Sequence, residues 1–162
     1  MIPSKNDRFL MTEKCEYWFA KNDKKLPTMN NTQNTVQKLL QYLTERDLKN
    51  LTTLFANNVD WYIPGDETNV LWLGERKSRQ EVLEFYQLLW QNTEPLSAMI
   101  DNIFIDGKKA IIAGEFSTKM LQTGKVVDSL FFIQLTVENN EIIKYRLLED
   151  SYAVSVALAP VL

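Results

Sequence analysis

The chemistry open to this chain is bounded by what it lacks: it has twenty-one carboxylates, six tyrosines and one thiol, and no histidine. Without imidazole there is no Ser-His-Asp or Cys-His pair and no zinc site with histidine ligands. The single thiol, Cys15, rules out an internal disulfide and points to a reducing compartment. Its neighbours Lys14 and Glu16 supply neither a clear base nor a positive field, so it is a poor nucleophile. Proton transfer would fall to carboxyl or phenol groups whose surroundings shift their pKa. The carboxylates form no ligand-like run, so no metal and no cofactor are expected.

Those groups must be held by one compact body. At 162 residues, 45% hydrophobic and 24% charged, the chain has enough apolar material for a single buried core. A net charge of -3 gives no reason to seek phosphate backbone or anionic lipid, and neither a nucleic acid nor a membrane is expected as partner. Lys21, Lys24 and Lys25, the densest basic run, sit beside Asp23 and read as a solvated face. No stretch approaches the roughly 18 apolar residues of a membrane span, and the first residues lack the apolar run of a signal peptide. A cytoplasmic protein is expected.

Along the chain, residues 1–29 read as an extension, with Met11, Cys15, Trp18 and Phe19 at helical spacing before Pro27. Asn34 and Gln37 suit a capping box, and Val36, Leu39, Leu40 and Leu43 then form one apolar stripe. Asp47 caps a second helix carrying Leu48, Leu51, Leu54 and Phe55. Ser78 and Glu81 make another box, ahead of Val82, Phe85, Tyr86 and Leu89. From about Leu96 the period becomes two and the residues β-branched or aromatic. Turns are expected at Asp106-Gly107, Thr123-Gly124 and Asn139-Asn140, which makes an antiparallel meander, and Gly114 inside a strand marks a bulge or bend.

Helices followed by strands, several strands being apolar on both faces, predict an α+β domain. The sheet is expected to be mainly antiparallel and strongly curved, wrapped as a cone around three N-terminal helices. The second apolar face needs a cover, for which a homodimer through the sheet is expected. The divisions are 1–29 as extension, 30–152 as domain and 153–162 as tail.

The segments "ERDLKNLTTLFANNVDWYIPG", "WLGERKSRQEVLEFYQLL", "QTGK" and "EIIKYRLLED" stand in an order that resembles the nuclear transport factor 2-like superfamily, above all its SnoaL-like, ketosteroid isomerase-like branches. The resemblance implies that Val59 to Pro64 is the first strand and that Gly65 to Arg79 is a loop at the mouth of the cone. By the same register, the catalytic base of ketosteroid isomerases falls on Ile63, their oxyanion tyrosine on Leu39 and their neutral acid on Phe132. The epoxide hydrolase arginine and aspartates fall on Gly114, Phe116 and Leu147. Neither of those mechanisms survives such substitutions.

The resemblance implies an inner wall of Leu39, Leu43, Trp61, Ile63, Trp72, Leu89, Phe116, Leu130, Phe132, Tyr145 and Leu147, around a hollow of at least about 300 Å³. Asp128, Tyr145 and Glu149 share that wall's parity and are the candidate catalytic groups. A carboxyl in such surroundings has its pKa raised by desolvation. Asp128 near the QTGK turn also reads as a solvated residue, and Trp61 and Trp72 as ordinary core. Asp150 reads as structural, with Arg146 as a partner on the same face. Arg76 and Arg79 read as surface charge or as contacts for an anionic ligand. Three functions remain open: binding of a small hydrophobic or aromatic molecule, a cofactor-independent isomerase, cyclase or lyase, and an assembly module.

Overall fold

The computed structural model describes residues 31–159, so the extension, with Met11, Cys15, Trp18 and Phe19, lies outside the described residues. The order is α1 (Asn31–Glu45), α2 (Leu48–Thr53), β1 (Phe55–Ile63), β2 (Gly74–Ser78), α3 (Arg79–Asn92), β3 (Thr93–Asp106), β4 (Lys109–Met120), β5 (Val126–Glu138), β6 (Glu141–Glu149) and α4 (Ser151–Leu158). The six strands form one sheet in the order β2-β1-β6-β5-β4-β3. Only the β1–β6 pair is parallel.

Local chemistry sets most of the boundaries. Asp47 caps α2 by accepting from Asn50 N, and Ser78 with Glu81 closes a full capping box at the start of α3. The expected capping box at Asn34 and Gln37 does not form, because α1 already begins at Asn31 and both residues lie inside the helix. All three hairpins fall at the expected turn residues, with positive φ at Gly107, Gly124, Asn139 and Asn140.

Three further elements differ from the sequence reading. Phe55 leaves the second helix and opens β1, because its ring belongs to an aromatic core with Trp61 and Tyr145. The mouth loop contains an edge strand, β2, whose GERKS sequence has no alternation to reveal it. Residues 153–162, read as a tail, supply most of α4, with Val154 and Ala157 buried.

Asp150 is the N-cap of α4, accepting from Ala153 N, while its own N–H donates to Ser129 Oγ. Arg146 pairs instead with Asp60, through bonds of 2.6 and 2.7 Å to the carboxylate, across the parallel β1–β6 pair. Asp150→Ala is expected to cost about 1 kcal/mol in a urea unfolding curve, the usual worth of such a cap.

The core lies between α1, α2 and α3 and one face of the sheet, with Val36, Leu39, Leu51, Phe55, Ile112 and Leu135 fully buried. Bulges interrupt the β3–β4 ladder between Pro95 and Ser97 and again between Ile100 and Asn102. They bend the long strand β3.

Candidate functional site

Alternation along β4, β5 and β6 decides which side chains reach the interior. Phe116 pairs with Ser129, Gly114 with Phe131, and Ile112 with Ile133, so Phe131 and Ile133 share the inner face with Phe116. On β6, Leu147 stands opposite Ile133 and Glu149 opposite Phe131. Helix α3 brings Phe85, Tyr86, Leu89 and Trp90 over these strands, and Trp72 comes from the mouth loop.

Together these residues line an open-mouthed chamber of about 230 Å³, lined also by Leu43, Ala98, Met120, Tyr145 and Val154. It is smaller than the hollow expected from the sequence. A wider groove of about 580 Å³ adjoins it and shares Leu43, Trp90, Thr93, Pro95, Ser97 and Ala98 with it. At the groove's edge the Arg46 guanidinium lies 5.5 Å from the Trp90 ring centre.

Of the residues expected on the wall, Leu43, Trp72, Leu89, Phe116, Tyr145 and Leu147 line this chamber. Leu39, Trp61 and Ile63 do not: they are sealed in the core, and Trp61 stacks on Tyr145 with ring centres 4.0 Å apart. Leu130 and Phe132 are corrected outright, as both are on the outer face and at least half exposed. Asp128 goes with them, being exposed, so Asp128 and Tyr145 cannot form a pair inside. The cause is a one-residue slip on β5, which moves every side chain to the other face.

Arg76 bonds to the carbonyls of Leu73 and Glu75, and Arg79 to the Phe55 carbonyl and the Glu141 carboxylate. Both arginines brace the fold.

The polar content of the chamber is sparse and unusual. Burial, reinforced by the neighbouring charge of Asp150, pushes the Glu149 carboxyl up from 4.5 to about 7. Among the described residues no hydrogen bond or ion pair compensates it. Desolvation also raises the Tyr145 and Tyr86 phenols well above their ordinary value, so both stay protonated. The two hydroxyls influence each other's ionisation, yet they do not meet hydrogen-bonding geometry, and Tyr86 Oη is buried without a partner. An unsatisfied buried hydroxyl costs about 1–3 kcal/mol. Tyr86 was visible in the sequence only as one member of the helix stripe.

A carboxyl with its pKa raised to about 7 and two protonated phenols are thus set in a hydrocarbon chamber. That arrangement can exchange a proton with a bound carbon acid and donate hydrogen bonds to its oxygen. Among the described residues no three of His, Cys, Asp and Glu gather in a way that could hold a metal ion. No described helix is long and apolar enough to cross a membrane.

Comparison with known proteins gives the same architecture. An NTF2-like protein of unknown function from Burkholderia pseudomallei superposes with a TM-score of 0.74 at 18% identity, covering 82% of this chain and 100% of that one. A candidate isomerase from Rhodopseudomonas palustris gives 0.67 at 17% identity, covering 78% of this chain and 94% of that one. TerC, crystallised with polyporic acid, gives 0.69 at 12% identity, covering 80% and 98%. At these identities the likeness is one of fold. No curated protein matches the sequence. The SnoaL-like domain family, however, matches residues 36–145, from the first helix through the sheet to Tyr145 at the chamber wall. The chain therefore belongs to the SnoaL-like domain family.

Proposed function

We propose that the protein binds a small, flat, mainly apolar molecule in the chamber and moves a proton on it through Glu149, as a cofactor-independent isomerase or cyclase. The observation that carries this reading is the Glu149 carboxyl, held near 7 inside the chamber with no internal partner. A group half-protonated at neutral pH can both take and return a proton. Trp72, Phe85, Trp90, Phe116 and Phe131 offer aromatic faces to a planar ligand. Tyr86 and Tyr145 are placed to donate to a carbonyl or enolate oxygen. A candidate isomerase and a protein crystallised with polyporic acid among the structural relatives support the reading.

The test uses the emission of Trp72 and Trp90, which line the chamber. Titration with polyporic acid and with flat aromatic ketones is expected to quench it saturably, and Leu89→Trp, which fills the chamber, is expected to weaken binding at least about tenfold. Deuterium uptake at the carbon next to the ligand carbonyl, followed by NMR, separates the two halves of the reading. Uptake above the buffer rate supports proton transfer. Saturable quenching without it leaves a binding protein, and no quenching up to the solubility limit removes both.

A further inference from the structure

We propose that the groove beside the chamber is a second subsite for the same ligand, where Arg46 holds a carboxylate-bearing arm, so that the ligand class is an aryl or alicyclic keto acid. The inference rests on the reading of the chamber as the seat of a flat apolar molecule and adds what that molecule must carry. The chamber by itself, at about 230 Å³, falls below the roughly 300 Å³ of a typical ligand site. The groove of about 580 Å³ continues it through the shared walls Leu43, Trp90 and Ala98. A molecule of ordinary ligand size seated against Glu149 therefore extends into the groove.

What the groove adds is a cation. Among the described residues Arg46 is the one basic side chain on its wall, and the guanidinium lies over the Trp90 ring, 5.5 Å from its centre. Stacking engages the face of a guanidinium, while its N–H edge is the part that recognises a carboxylate by paired hydrogen bonds. The Trp90 and Tyr86 ring centres are also 5.5 Å apart. Two such steps put the guanidinium no more than about 11 Å from the Tyr86 ring, a span that a short methylene chain covers. Glu94 brings one negative charge to the same wall. It disfavours a dianionic phosphate, whose second charge meets no further cation of the groove, and leaves a monoanionic carboxylate as the match.

The backbone at Arg46 points the same way. Arg46 follows the last residue of α1 with φ of 53°, in the left-handed region where helix ends favour glycine. Its N–H donates to the Leu43 carbonyl and its own carbonyl accepts from Leu48 N, so the turn into α2 fixes where the side chain leaves the backbone. A β-carbon is carried there at a steric cost, which a side chain with a task at the groove explains.

The probes are δ-benzoylvaleric acid and its methyl ester, one aryl ketone with and without the charge, followed by equilibrium dialysis at neutral pH. The acid is expected to bind the wild type at least about fivefold tighter than the ester. Concentrated salt is expected to reduce that advantage, because Arg46 is exposed. Arg46→Gln is expected to bring the ratio of the two affinities to about one. Arg46→Gly, which relieves the left-handed strain, is expected to do the same while melting at about the wild-type temperature, so that a lost preference is not a lost fold. Arg46→Gln keeps a side chain on the turn and carries the test should the glycine loosen it. Equal affinities in the wild type, or a preference that persists in Arg46→Gln, would overturn the proposal, while binding of the ester would keep the chamber reading. Binding of neither probe would remove both.

Discussion

Replacing Glu149 by glutamine is expected to make the protein more stable above pH 7 and to change little at pH 4.5. Folding raises the carboxyl from 4.5 to about 7, chiefly by burial and secondly through the charge of Asp150. The folded state therefore holds a proton that the unfolded state releases. Between pH 4.5 and 7 the wild type progressively loses this stability, and above 7 the loss is complete. Neutral glutamine, similar in shape, carries no such penalty. Raising the carboxyl from 4.5 to about 7 corresponds to at most about 3.4 kcal/mol, and with partial solvent contact about 2 kcal/mol is expected. Denaturant unfolding of both proteins at pH 4.5 and pH 8 measures it, and parallel curves at the two pH values would rule out a desolvated carboxyl.

The same substitution separates chemistry from binding. If Glu149 moves the proton, Glu149→Gln lowers ligand deuterium exchange by about 10²–10⁴, the usual contribution of a positioned acid or base. Ligand affinity, carried by the aromatic wall, changes little. A variant that becomes more stable while losing its reaction is a sharper result than loss of activity alone, because it excludes misfolding as the cause.

Gly114→Val is expected to cost about 3 kcal/mol or more. Gly114 is in the middle of β4, opposite Ile100 at the edge of the second β3 bulge. A Cβ there would overlap the Met99 carbonyl oxygen and lie 2.8 Å from the Phe131 ring. The first contact is with backbone, so no rotamer relieves it, and β3 would have to withdraw. Phe131 is also a chamber wall, so ligand affinity should fall with stability. A thermal melt within a degree or two of the wild type would show that the bend does not depend on this glycine.

Where local chemistry decided the outcome, the sequence was sufficient. The Asp47 cap, the Ser78–Glu81 box and the hairpin residues at 107, 124 and 139–140 act within four residues of themselves, so their effects read directly from the chain. The apolar stripe of α3 belongs to the same class, since helical geometry alone puts its members on one side. The family was legible for a related reason, as the order and spacing of several weak motifs survive without any one of them being decisive.

Tertiary structure alone decided the faces of β5. Val127, Phe131, Ile133 and Leu135 alternate with Val126, Leu130 and Phe132, so both faces are apolar, and period-two patterning carries no sign when neither face is polar. Pairing with β4 on one side and β6 on the other supplied that sign. It sent Asp128, Leu130 and Phe132 outward and left Glu149 inside with Tyr86 and Tyr145. A carboxyl's surroundings are made by residues distant in sequence. The chain could name Glu149 as a candidate, but only the sheet packed against its helices desolvates it enough to hold a proton at neutral pH.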